Sequence, residues 1–365
     1  MKVKDIIQIF EDLAPSVYQE SYDNSGLIVG HPEDEVTRVM LSLDTTEEVV
    51  DEAIREGCNL LIAHHPIVFK GLKKFNGKNY VERTVIKAIK NGIAIYAAHT
   101  NLDNVLNGGV NEKFAQKLGL KDLKILQSKE ALLSKLSVYV PETHLEPVKK
   151  AIFEAGTGHI GNYSECSFAV QGTGSFKPEL GSNPQTGKQG IREELPEYKV
   201  EVLLPKHLIN RVLQSVRSVH PYEEVAYDHI EMLNNNQIVG AGVIGELEKE
   251  MEEAEFLEFL KKTFKTGVIR HTKWGKKIKK VAVCGGVGSF LIEAAKRSGA
   301  DAYVTADVKY HEFFDAEGKL KICDIGHYES EISTLEIFYD KIKEKLPNFA
   351  VIFCQLTTNP IQYYT

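Results

Sequence analysis

Two neighbouring histidines, His64 and His65, end the apolar run NLLIA and precede Pro66, and three more side chains with metal-binding chemistry, Asp103, His327 and Glu331, follow other apolar runs. Imidazole nitrogens mixed with carboxylate oxygens suit zinc, iron, manganese or a similar divalent ion, whereas calcium prefers oxygen throughout. Pro66 holds His65 extended, and adjacent extended residues point to opposite sides, so the pair would serve two different ions more naturally than chelate one. His327 and Glu331 stand at i and i+4, which on a helix places both on one face, about 6 Å apart, near enough to share an ion or bridge two. Asp103 adds an oxygen ligand from the loop after its strand. A plainer reading stands beside this one: a lone strand-end histidine is commonly a core or surface residue, and a His–Glu pair at this spacing is commonly a solvated helix face. His99 reads either as a packed core residue or as a hydrogen-bond partner of a ligand.

The elements that must position these residues follow an α/β rhythm. From Val36 to about Leu120, short β-rich runs (VMLSLD, NLLIAHHP, IAIYAAHTNLD) alternate with helical patterns over Thr46–Arg55, Val81–Lys90 and Val110–Leu118, the signature of parallel strands. The rhythm returns after Lys279, with strands KKVAVCGG, DAYVTAD, LKICDIG and, after a final helix, NFAVIFC. Aligned by element, Asp44-Thr45-Thr46 matches the GGVG turn, His64-His65 matches Asp307, and His99-to-Asp103 matches His327-to-Glu331. The expected architecture is therefore α/β: two related halves forming one metal-binding domain across a shared cleft.

Between the halves a different repeat appears, LSVYVPETHLEPVKKAI and YKVEVLLPKHLINRVLQSV, each a strand followed by an amphipathic helix and then by another strand-like run. Two successive βαβ units predict an inserted ferredoxin-like α+β domain, with 173–195, rich in Gly, Pro, Ser and Asn, as an exposed loop. The expected division is 1–127 and 248–365 for the metal-binding halves and 128–247 for the insert. At 365 residues the chain exceeds the roughly 250 to 300 residues at which a single core usually stops growing.

A net charge of −7 offers no global attraction to a polyphosphate, so nucleic acid is not the expected partner. The five cysteines are widely spaced with no Cys-x-x-Cys pair and read as reduced thiols of a cytoplasmic protein. The N-terminal segment through Leu13 is an amphipathic helix rather than a signal peptide, and no apolar stretch approaches the roughly 20 residues of a membrane helix. Weaker signals are the GGVGSF run, read as a tight turn rather than a phosphate loop; SYDNSGLIVG, a turn or a cleft wall; His220-Pro221-Tyr222-Glu223-Glu224 in the insert, an oligomer contact or a ligand site; and Thr305-Ala-Asp307 with His311, which could bind substrate or act as acid and base.

Taken together, SYDNSGLIVG, IAHHP, AHTNLD, GGVGS, GADAYVTADVKYHEFFDA and DIGHYESE resemble, in order and over nearly the whole chain, the Nif-three-like family, whose bacterial members are labelled GTP cyclohydrolase type-two homologs. The insert resembles the PII-like or CutA-like module of the longer bacterial members. The resemblance implies two divalent ions per chain, with zinc the leading candidate and iron or manganese the alternatives. It implies that His64 and His327 hold one ion, His65 and Asp103 the other, and that Glu331 bridges them, in a toroidal homohexamer. The expected function is a metal-dependent hydrolase of a nucleotide-like small molecule, GTP ring opening being the named case, with Glu331, His99 and His311 as candidate catalytic groups. The alternative is a metal-binding regulatory or chaperone-like protein without turnover.

Overall fold

The uninterrupted apolar runs before the histidines form strands buried on both faces, as parallel strands covered by helices must be. The computed structural model describes residues 1–364. Strands β1 (Gly26–Val29), β2 (Val39–Ser42), β3 (Leu60–Ala63) and β4 (Ala94–Ala97) lie in the order β1-β4-β3-β2, with β2, β3 and β4 parallel and β1 antiparallel at the edge. Helices Glu47–Arg55 and Tyr80–Lys90 make the crossovers; the Thr46 hydroxyl and the Asn79 amide oxygen cap their first turns by accepting from Val49 N and Glu82 N. Val49, Val50, Ala53, Val85 and Ala88 press against Met40, Leu61 and Ile95 of the sheet. Because Ser42, Ala63 and Ala97 are in register, the residues that follow all three strands emerge along one edge.

After strand β5 (Lys121–Ser128) the chain enters a separate compact unit, Lys129–Gln237. Its strands β6 (Leu133–Pro141), β7 (Ser167–Phe176), β8 (Glu193–Pro205) and β9 (Tyr227–Met232) form one antiparallel sheet in the order β7-β8-β6-β9. Helices Leu145–Glu154 and Ile209–Val219 bury Val148, Ile152, Val212 and Val216 against Leu136, Val138, Val200 and Val202. The expected loop at 173–195 is shorter than its composition suggested. Strand β7 runs on to Phe176 opposite Glu193, an extension hidden by Gly172 and Gly174 in an exposed edge strand, where no buried side imposes alternation. The unit also ends at Gln237, short of the expected Leu247, because the next strand pairs in the other unit.

That strand, β10 (Gly240–Met251), joins β5 and β12 (Ile278–Val287) in a six-stranded sheet. With β11 (Arg270–His271), β13 (Ala302–Ala306) and β14 (Lys321–Asp324) the order is β11-β14-β13-β12-β10-β5. Here too three parallel strands, β12, β13 and β14, carry an antiparallel edge strand that precedes them in the chain. The last strand, β15 (Val351–Phe353), was expected in this second half; instead it pairs in parallel with β2 and completes the first sheet. Helix Thr334–Lys345 carries it there, packing Phe338 edge-on to Phe10 of the N-terminal helix. Among the described residues no helix is long and apolar enough to cross a membrane.

Phe114, on helix Val110–Lys117, is fully buried with Val243, Val281 and Leu260 and meets Phe264 edge-on at 4.9 Å. Phe114→Ala is expected to lower stability by about 3–5 kcal/mol in urea denaturation, through lost burial and the cavity left behind.

Candidate metal centre

The five expected ligands all leave the sheets at strand ends. His64 and His65 follow β3 directly; His99 and Asp103 bracket the single helical turn after β4; and His327 and Glu331 bracket the corresponding turn after β14. Glu331 is only 2% exposed, and its carboxylate faces three imidazoles. Its Oε2 lies 3.0 Å from Nε2 of both His65 and His327, and its Oε1 lies 3.7 Å from Nε2 of His64.

These distances sort the ligands into two groups, His64 with Asp103 and Glu331, and His65 with His327 and Glu331, each with donor atoms within 4.8 Å of one another. The grouping differs from the division that family resemblance implies, which pairs His64 with His327 and His65 with Asp103. Side-chain direction explains the difference. His64 Nδ1–H donates to the Ala98 carbonyl at 2.8 Å, which aims Nε2 at Asp103, while Asp44 accepts from His65 Nδ1–H at 2.7 Å and turns the opposite-facing ring towards His327. His327 donates through Nδ1–H to Asp307 at 2.6 Å, so each of the three rings is fixed from behind and presents Nε2 to the centre.

A direct sign that a cation fits is the pair His64 Nε2 and Asp103 Oδ1. Both atoms are buried, neither has a hydrogen-bond partner among the described residues, and they stand 3.6 Å apart. Leaving buried polar atoms unpaired costs about 1–3 kcal/mol each, and a cation held between a lone pair and a carboxylate oxygen satisfies both. These residues, and the second group beside them, could hold a metal ion.

The glycine run after β12 makes room for this carboxylate. Gly286 has φ +60°, and a Cβ there would sit 2.3 Å from Glu331 Oε1; one on Gly285 would press Glu331 Cγ at 3.2 Å. The run is a turn, as expected, and its lack of side chains has a specific use. Asn111 locks it in place, accepting from Gly285 N at 2.9 Å and donating to the Asp103 carbonyl at 2.9 Å.

A cleft of about 710 Å³ opens over the centre, lined by His65, His99, Asp103, His327 and Glu331 among others. His99 stands on its wall, its Nδ1–H donating to Asp23 at 2.8 Å, and its ring nitrogens also fall within 4.8 Å of those of His64 and His65. His311, expected as an acid or base, is not brought to this cleft. The chain turns at Asp307, in the left-handed region at φ +55°, and His311 lies exposed in the 3-10 segment Tyr310–Ala316 between the rings of Tyr310 and Phe314. Asp307 itself stays on the cleft. Asp44 and Asp23 were not singled out from sequence as orienting groups. For Asp44 a signal existed, since it ends β2 much as Asp307 ends β13, next to the strand that delivers a histidine.

Burial opposes the charged form of His65, yet hydrogen bonds to Asp44 and Glu331 outweigh it and raise the imidazole to about 9. The same balance, with Asp307 and Glu331 as partners, raises His327 to about 11. Burial opposes charge on Glu331 too, but His64 and the hydrogen bonds from His327 and His65 hold its carboxyl well below the usual range, while burial pushes Asp103 up. In metal-free protein the charge on His65 thus stabilises the fold below the ordinary histidine range, and that contribution is lost as pH rises through about 9. Asp44→Asn should lower the His65 midpoint towards its ordinary value, read by imidazole NMR of chelator-treated protein; an unmoved midpoint would contradict the role given to Asp44.

Comparison with known proteins agrees over the whole chain. The model of the Duf34/NIF3 (NGG1p interacting factor 3) family matches residues 1–360. A Halalkalibacterium halodurans protein named GTP cyclohydrolase 1 type 2 homolog is 41% identical, covering 98% of both chains, and a Bacillus subtilis protein of the same name is 41% identical over 90% of this chain and 89% of its own. The crystal structure of a Bacillus cereus protein related to NIF3 superposes with a TM-score of 0.87 at 39% identity, covering 100% of this chain and 99% of that one. The chain belongs to the Duf34/NIF3 family.

Proposed function

We propose that the chain is a two-ion, metal-dependent hydrolase of a nucleotide-like small molecule, the class suggested by the name GTP cyclohydrolase 1 type 2 homolog that its relatives carry. The observation that carries the proposal is the buried, unpartnered pair His64 Nε2 and Asp103 Oδ1 beside a second ligand group, with Glu331 common to both. When bound, two such ions lower the pKa of a shared water towards neutrality and polarise the substrate. The chain's own residues do the rest. Asp44, Asp307 and the Ala98 carbonyl fix the tautomer and direction of the three imidazoles, and Glu331 spans the two groups. His99, held by Asp23 on the cleft wall, is the group placed to move a proton. The donor set of three imidazoles and two carboxylates supports zinc, with iron or manganese accepted by the same atoms.

Two further parts belong to this proposal. Residues 129–237 are read as a ferredoxin-like module, supported by the antiparallel order β7-β8-β6-β9 and the two helices packed on the sheet. The pairing of sheet orders, β1-β4-β3-β2 with β11-β14-β13-β12, supports two related halves. A cytoplasmic, homohexameric protein completes it; five free cysteines support the reducing compartment.

Metal-loaded protein should turn over GTP or a related guanine compound, and Glu331→Gln should lower the rate by about 100-fold or more with the fold intact by circular dichroism. Unchanged turnover in that variant would contradict the assignment.

A further inference from the structure

The charge of the cleft bears on what it can take. Its lining contains five carboxylates, Glu20, Asp44, Asp103, Asp307 and Glu331, and among the described residues that line it there is no Lys or Arg. The nearby guanidinium of Arg270 is engaged by Asp324. Two divalent ions would bring four positive charges against five negative ones, leaving no surplus to bind a polyphosphate. Each terminal phosphate adds about −1.5 to −2 charge near neutrality, and proteins that grip a polyphosphate add Lys, Arg or a run of backbone N–H groups to whatever metal ions coordinate it. In the GGVG turn at the cleft the first two amides are already committed: Gly285 N donates to Asn111 and Gly286 N to Ser330.

The remaining surface suits a flat ring. Tyr22, Phe69 and Phe290 line the cleft at 65%, 47% and 60% exposure, large apolar faces beside the cluster of imidazoles and carboxylates. Aromatic faces of this kind stack on the π-faces of planar heterocycles. Glu20, which accepts from Asn104 Nδ2 at 2.9 Å, adds a carboxylate outside both ligand groups, an acceptor for ring N–H and amino donors.

Resting on the hydrolase reading above, we infer that the substrate is an uncharged planar heterocycle bearing N–H donors, a nucleobase or nucleoside, rather than a nucleoside triphosphate. Catalysis and charge selection are separable, so one series tests both. Guanosine, GMP, GDP and GTP, the phosphorylated members supplied as magnesium complexes, are titrated into the metal-loaded full-length protein by calorimetry and assayed for ring opening. Affinity should fall along the series, with guanosine bound roughly tenfold or more tightly than GTP. Glu20→Gln should narrow the guanosine-to-GTP ratio, and Val287→Lys, which places a cation on the cleft wall, should narrow it further by improving GTP. Guanosine preference without turnover of any member would sustain the charge selection and defeat the hydrolase reading. GTP bound as well as or better than guanosine would overturn the inference even if GTP were hydrolysed, and so would failure of every member to bind.

Discussion

Glu331 is a buried carboxylate whose position is tolerable only because imidazoles from two different sheets converge on it. An isolated charge so little exposed to water would cost several kcal/mol, and in the metal-free state the hydrogen bonds from His65 and His327, whose imidazoles are raised well above the ordinary range, offset that cost. His64 and His65 come from the end of β3, and His327 from the end of β14, so the electrostatic balance requires both sheets to be assembled. The fold serves that meeting. Gly286 clears space for the carboxylate, Asn111 ties the glycine turn to the Asp103 loop, and the C-terminal strand crosses back to β2.

The same convergence is what would let these residues hold metal ions. Protonated, His65 and His327 neutralise Glu331 from one side, but they leave His64 Nε2 and Asp103 Oδ1 buried without hydrogen-bond partners among the described residues. Divalent cations would satisfy both groups at once and displace the imidazolium protons, which couples metal affinity to pH. Orientation is set one shell further out: Asp44, Asp307 and the Ala98 carbonyl each take the Nδ1–H of one ring. Thr358, from the C-terminal segment, donates to Asp44 in turn, so the end of the chain reaches the residues behind the centre.

Much of this was legible in the sequence. Strand-end histidines after fully apolar runs, and the His-x-x-x-acid spacing repeated at His99–Asp103 and His327–Glu331, carry local signals because parallel strands expose their chemistry only where they end. What depended on side-chain direction was not legible: neither spacing nor family resemblance could say that His64 faces Asp103, since that follows from a hydrogen bond to the Ala98 carbonyl. His311 misled for a related reason, as one left-handed residue at Asp307 sends the chain away from the cleft. The placement of β15 was beyond local reading too, because a short apolar strand carries no mark of which sheet it will join. At Gly172 and Gly174 the weak edge of β7 passed for a loop.

The central proposal is that two ions would share Glu331, one with His64 and Asp103 and the other with His65 and His327. Anomalous scattering from crystals of the metal-loaded protein, collected at the absorption edge of the bound ion, tests it most directly. The account predicts two peaks, one within coordination distance of each group and both adjacent to the Glu331 carboxylate. A single peak, or two peaks that join His64 to His327 and His65 to Asp103, would contradict it.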